Sequence, residues 1–343
     1  MQGPSGWDDT PHFQNFGDPY SPGNVQMPYN GYAGEAPAPQ RLNTNYPFEN
    51  DAFDWAQRNS IAPNDLLQIL TKVSEGNHRL EISPAQINIG PMIDKGSFGS
   101  ICLADYKGKA VVIKRVSKDT PGGLPQTVRN VLLELTALAP LAHPHIVGFK
   151  GMLLRFPRAG GGSSSDFELG LVFELCDGGN LHARMFAGSG HLLSYGDRLR
   201  IAREIAEAMA YVHGLNIIHR DLSSRNILLT GPGLSVRVSD FGLARKYVGE
   251  WYQSSTIAGS PLYMAPEQLT GGLLNIKADV WALGVLLWEL LTLRPAWADL
   301  ASLGAGPEPL VRAIVQDRRR LPAPEPALFP PSAGGLAPQA EAA

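Results

Sequence analysis

Short strand-like runs come first in this chain and long helical runs come after them, and that order constrains the fold more than any single residue. From Ala85 the runs "INIGPMI", "SICLADY" and "AVVIKRV" are broken by Gly and Lys-Gly turns, the pattern of an antiparallel meander. "PQTVRNVLLELTALAPLA" then reads as a helix. "GFKGMLLRF" and "ELGLVFEL" return to strand on either side of the Gly/Ser-rich insert "PRAGGGSSSD", which is expected to be a surface loop. After "CDGGNL" the period becomes helical, most clearly in "YGDRLRIAREIAEAMAYVHGL" (195–215) and in the apolar run "VWALGVLLWELLTL" (280–293). That run falls short of the roughly 20 residues a spanning helix needs, so it predicts a buried core helix and no membrane span. The fold class expected is α+β, with a β-rich half carrying one helix followed by a mainly α-helical half.

Charge narrows the partners. Against 32 Asp and Glu stand 29 Lys and Arg, a net charge of -3, so no overall field favours nucleic acid or an anionic membrane, and phosphate binding must be local. The 343 residues suffice for one large two-lobed domain or two ordinary ones. The two cysteines, Cys102 and Cys176, lack metal-ligand spacing and a disulfide framework, and the amino terminus lacks the charged and apolar regions of a signal peptide. A reducing, cytoplasmic setting is expected. Residues 1–60, rich in Pro, Gly, Asn and Tyr, are expected to form a disordered tail through which a partner could dock. In 61–84, "NDLLQILTKV" (64–73) carries an Asn cap and helical apolar spacing, which predicts a short amphipathic helix docking on the strand-rich half.

Several short stretches carry chemistry. "IDKGSFGSI" (93–101) places Gly96 and Gly99 in a tight turn whose backbone N–H groups can face an anion, although alone it is an ordinary turn. Lys114 closes the run "VVIK" and Glu134 sits in the next helix, so the two can meet across a strand and a helix. "HRDLSSRN" (219–226) sets Asp221 and Asn226 five positions apart beside His219 and Arg220, and "VSDFGLAR" supplies Asp240, an oxygen ligand suited to a hard cation. Taken in order with "SPLYMAPE" (260–267), these motifs make the chain resemble a eukaryotic protein kinase over residues 88–320. The opening "INIGPMIDKGSFGSICLADYKGKAVVIKRV" is most similar to the tyrosine-kinase-like group.

The resemblance implies a bilobal protein-kinase-like fold, with an N-lobe at 85–173, a hinge at 174–179, a C-lobe at 180–320 and a Pro/Ala-rich tail at 321–343. It implies ATP and Mg²⁺ as cofactors and proteins as substrates. Asp221 would take the proton of the substrate hydroxyl, Lys114 fixed by Glu134 would contact the phosphates, and Asn226 and Asp240 would hold Mg²⁺. Backbone amides near Ser97, Phe98 and Gly99 would cover the phosphates, while Ile93, Ile101, Val112 and Leu228 would wall the adenine slot behind Phe173. Glu174 to Cys176 would offer backbone groups to adenine, and Asp279 would brace the catalytic loop. Arg220 would receive a phosphate carried by Ser254, Ser255 or Thr256 of "KYVGEWYQSSTIAGS".

Some positions depart from the family pattern. Asp94 replaces the first loop glycine, and Val112 replaces a small residue above adenine. Ser223 stands where Ser/Thr kinases carry a lysine, and Arg225 occupies the place used by many tyrosine kinases for a catalytic arginine. Ser260 and Tyr263 before "APE" match the Ser/Thr pattern, which sets the expectation of Ser/Thr specificity over tyrosine or dual specificity. After Leu321 the sequence turns Pro- and Ala-rich where the family has further helices and an arginine pairing with the APE glutamate. The expectation is a C-lobe without its last helices and a Glu267 deprived of that partner. The alternative reading is a nucleotide-binding, pseudokinase-like scaffold.

Overall fold

The computed structural model describes residues 80–96, 99–116, 123–155, 168–187, 193–254, 257–301, 308–325 and 328. The tail 1–60, the helix expected at 64–73, the insert 157–166, Ser97, Phe98, Ser255 and Thr256 lie outside them.

The amino-terminal half is one six-stranded sheet built from β1 (Glu81–Ile82), β2 (Ile87–Gly96), β3 (Gly99–Tyr106), β4 (Lys109–Val116), β5 (Phe149–Arg155) and β6 (Glu168–Glu174). Its order is β1-β5-β6-β4-β3-β2. The meander pairs antiparallel as expected, whereas β1 runs parallel to β5, with Glu81 opposite Met152 and Ile82 opposite Leu153. The sheet therefore starts ahead of Ala85. A Cβ on Gly151 (φ +147°) would stand 2.3 Å from the carbonyl oxygen of Leu80, so only glycine admits this close approach.

Alternation along β4 decides which side chains reach the cleft. Val111 and Ile113 are buried in a small cluster with Ile82, Cys102, Ala104, Leu153 and Val172. Val112 and Lys114, one residue out of phase, share the opposite face. On the helix α1 (Gly123–Leu138), Thr127, Val131, Glu134, Leu135 and Leu138 recur at helical spacing and are buried together, which carries the carboxylate of Glu134 inward with the apolar stripe.

The second half is mainly helical: α2 (Leu181–Phe186), α3 (Tyr195–Gly214), α4 (Pro266–Leu269), α5 (Ile276–Thr292) and α6 (Ala298–Ala301), with short strand pairs β7 (Ile217–Ile218) to β10 (Arg245–Lys246) and β11 (Tyr252–Gln253) to β12 (Leu273–Leu274). α3 opens on Ser194, whose hydroxyl accepts the Asp197 N–H, and buries Ile201, Ile205, Ala208, Met209 and Val212. α5 opens on the Asn275 cap and stops at Leu293, which adopts a left-handed φ of +52°. The helix thus begins four residues before the apolar run. The hairpin β8 (Ile227–Thr230) and β9 (Ser235–Val238) packs on α3, where buried Glu204 accepts the Val236 N–H at 2.8 Å.

Past α6, a short helix (Glu308–Leu310) runs into a π-helical turn (Val311–Gln316). Residues 320–322 lie on α5: Trp288 Nε1 donates to the Pro322 carbonyl at 2.8 Å, and Arg320 sits over the Trp281 ring at 4.9 Å. Among the described residues, no helix is long and apolar enough to cross a membrane.

Candidate active site

Between the two halves, one ammonium meets two carboxylates. Lys114 Nζ lies 2.9 Å from Glu134 Oε1 and 3.0 Å from Asp240 Oδ1. Burial works against the charge on Lys114, but the field of the two carboxylates overrides it and holds the amine above its ordinary range. Lys114 in turn depresses the pKa of Asp240, so that carboxylate stays ionised. Asp240 takes a left-handed φ of +58°, and Phe241 next to it is wholly buried against the His219 ring at 4.8 Å.

The loop between β7 and β8 carries Asp221. Its Oδ1 accepts the Ser260 N–H at 2.7 Å, and its Oδ2 accepts Asn226 Nδ2–H at 2.8 Å. Asn226 gives its other amide proton to the Asp221 carbonyl at 2.7 Å, which leaves the amide oxygen as a ligand. Burial raises the Asp221 pKa, opposed by the Ser260 bond. Asp240 is near enough for its charge to add to that rise.

A second buried carboxylate shapes this loop from below. Asp279, in the first turn of α5, accepts the Arg220 N–H at 2.9 Å on Oδ1 and the His219 N–H at 2.8 Å on Oδ2, with His213 Nε2 at 2.8 Å. The bracing role expected for Asp279 is thus visible atom by atom. His219 is buried, with Nε2 at 3.0 Å from the Ser239 carbonyl, in keeping with a packing part. Arg220, at φ +69°, is also gripped by Gln268 Nε2, which donates to its carbonyl at 2.8 Å. A Cβ on Gly259 would stand 2.8 Å from that same carbonyl, so the segment before Ser260 can approach only as glycine.

Arg220 Nη2 donates to Ser254 Oγ at 2.8 Å, and both side chains are buried. Of the three residues expected to carry phosphate, Ser254 alone lies among the described residues. At the start of the expected hinge, the Glu174 N–H is already given to the Gly148 carbonyl, and its carboxylate accepts from Gly148 N–H at 2.8 Å and from Arg237 Nε at 2.9 Å. Sequence reasoning assigned only backbone groups to Glu174. Burial pushes the Cys176 thiol up to about 12, so it is not a thiolate. A Cβ on Gly178 would stand 2.8 Å from the Leu229 carbonyl, so the backbone here lies directly against the strand bearing Leu228.

Ile101, Val112 and Leu228 are half-buried, Ile93 is exposed, and Asp94 is exposed on the glycine hairpin, with its carboxylate accepting the Lys95 N–H at 2.7 Å. Gly96 pairs with Gly99 across that hairpin. Arg225 is exposed and hydrogen-bonded to His182 Nε2 at 3.2 Å. Glu267 is half-buried and, among the described residues, makes no ion pair. A contact set that no motif announced joins Ser224, Tyr263 and Glu289, all buried, with Tyr263 donating to Glu289 Oε2 at 2.5 Å.

A β lobe over a helical lobe, with these motifs converging between them, defines a bilobal phosphotransferase-type fold. The sequence model of the family described as protein tyrosine and serine/threonine kinase matches residues 87–328. The chain belongs to that protein kinase family. It is 34% identical over 248 residues to serine/threonine-protein kinase CTR1 of Arabidopsis thaliana, covering 71% of this chain and 28% of that protein. It is 32% identical over 260 residues to mitogen-activated protein kinase kinase kinase 10 of Xenopus laevis, with 71% and 23% covered. To tyrosine-protein kinase csk-1 of Caenorhabditis elegans it is 30% identical over 253 residues, with 74% and 44% covered. The chain thus spans less than half the length of these relatives.

Proposed function

We propose that this chain is a serine/threonine protein kinase that transfers the γ-phosphate of ATP, with Mg²⁺, to hydroxyl groups of protein substrates in signalling. The observation that carries the reading is the convergence of Lys114, Glu134 and Asp240 with Asp221 and Asn226 in one cleft.

The residues fit Mg·ATP. Asp240 uses Oδ1 for Lys114 and keeps a second oxygen, and Asn226 keeps its amide oxygen, so two hard oxygen donors remain for a divalent cation. When bound, Mg·ATP supplies the phosphoryl group and the cation that neutralises its charge.

The chain's own residues position and receive. Lys114, held by Glu134, presents its ammonium to the phosphates. Asp221, fixed by Ser260 and Asn226, orients the substrate hydroxyl and accepts its proton, and its raised pKa makes it a stronger base than an ordinary aspartate. The Arg220–Ser254 contact supports regulation by a phosphate at Ser254, Ser255 or Thr256. This proposal includes a catalytic unit at 85–320 hinged at 174–179, an intracellular setting, and a partner-docking role for residues 1–60. Retention of Asp221, Asn226 and Asp240 favours an enzyme over a scaffold. Incubation with radiolabelled Mg·ATP and a generic protein substrate, followed by phosphoamino-acid analysis, tests it: phosphoserine or phosphothreonine is expected. Nucleotide binding with no incorporated label would refute it.

A further inference from the structure

An exposed arginine is ordinarily a mobile, solvated charge. Arg225 is exposed and makes no ion pair among the described residues, though its charge reaches the buried Glu289 carboxylate, and its guanidinium is hydrogen-bonded in one direction. Its Nη2 donates to His182 Nε2 at 3.2 Å, which requires that nitrogen to be unprotonated. Burial first, and then the charge of Arg225 itself, lower the His182 pKa and favour the neutral ring. The ring proton then belongs on Nδ1, 3.2 Å from Ser224 Oγ. Ser224 Oγ lies 2.7 Å from the Tyr263 hydroxyl, Tyr263 donates to Glu289 Oε2 at 2.5 Å, and the other Glu289 oxygen accepts the Ala296 N–H at 3.0 Å. Donor and acceptor alternate along the whole chain, so a buried carboxylate on α5 fixes, through three intermediates, the direction of a surface guanidinium.

The same two segments fix Asp221. Asn226, the residue after Arg225, donates to the Asp221 carboxylate, and Ser260, three residues before Tyr263, donates to its other oxygen. Exposed and one residue from Asn226, Arg225 lies on the same loop as Asp221, the loop that a polypeptide delivering a hydroxyl to Asp221 must meet. His182 takes one Nη2 proton and leaves the other Nη2 proton with those of Nη1 and Nε, so one fork remains for a planar acceptor.

We infer that Arg225 determines substrate specificity by binding a carboxylate side chain close in sequence to the acceptor hydroxyl, so that the preferred substrates are acidic protein segments. This rests on the reading of Asp221 as the residue that receives the hydroxyl. Its role is then selection of the peptide, outside the charged cluster that handles the phosphates.

The test uses three serine peptides identical except for Glu, Ala or Lys at the positions flanking the acceptor. kcat/KM is measured for each with Mg·ATP at low ionic strength. The Glu peptide is expected to exceed the Lys peptide about tenfold, Arg225→Glu to reverse the order, and Arg225→Lys to keep its sign. Because the ratio is taken within one protein sample, loss of folded enzyme in a variant cancels. Added salt is expected to shrink the ratio. Equal use of all three peptides by the native chain, or an unchanged ratio in Arg225→Glu, would overturn this inference and leave the kinase reading standing. No transfer to any of the three would overturn the kinase reading, and this inference with it.

Discussion

Replacing Asp279 with Asn isolates what one buried carboxylate does for the catalytic loop. The carboxylate is nearly fully buried and has two acceptor oxygens in use: Oδ1 for the Arg220 N–H, Oδ2 for the His219 N–H and for His213. An amide has a single acceptor oxygen. If that oxygen serves His219 and His213, the new NH₂ faces the Arg220 N–H, donor against donor, and a buried backbone N–H is orphaned. Such an orphan costs about 1–3 kcal/mol, and the two surviving bonds weaken with loss of the charge. The expected total is about 2–4 kcal/mol, a large part of the roughly 5–15 kcal/mol that stabilises a typical domain. For a unit of this size the melting temperature should fall by roughly 4–16 °C. Arg220 would also lose a restraint on its left-handed backbone, so phosphate transfer should drop further than the folded fraction does. Calorimetry and a transfer assay, run well below the lower melting temperature, measure both. Melting within about 1 °C of the native chain, with unchanged transfer, would show that the loop does not depend on Asp279.

Asp221→Asn should abolish transfer while leaving nucleotide affinity nearly intact, whereas Asp240→Asn should weaken Mg·ATP binding as well; equal small effects on both quantities would contradict the division of roles. The raised pKa of Asp221 places the acidic limb of the kcat/KM profile above the ordinary aspartate value of about 3.9. Activity requires the ionised form, so it should rise with pH through that limb. Stability contributed by this group should run the other way, greatest below the unfolded pKa and falling as pH rises through the folded one. A limb at or below the ordinary value would count against burial as the cause. Mass spectrometry of active protein should find phosphate at Ser254, Ser255 or Thr256; full activity with all three unmodified would exclude the proposed use of Arg220.

Where local pattern and tertiary structure agree, the sequence was a sufficient guide. α3 was legible because its apolar residues keep helical spacing, and the Lys114, Glu134, Asp221, Asn226 and Asp240 set was legible through its motifs. α5 was legible in type but not in extent, because Asn275 starts it within a mixed stretch and a backbone angle at Leu293 ends it. β1 was invisible, since two residues carry no period. The side chain of Glu174 and the chain from Arg225 to Glu289 were also invisible: their members come from separate elements, and each looks ordinary in its own neighbourhood.

The family match begins at residue 87, but the sheet begins at 81. Without β1, the outer side of β5 around Met152 and Leu153 would present unpaired backbone groups on strongly apolar residues. An open edge of that kind is a template for strands of other molecules, the starting point of sheet-to-sheet aggregation. A fragment cut at Ile87 should therefore keep every motif and still be prone to precipitate, while one that begins a few residues earlier carries its own stopper.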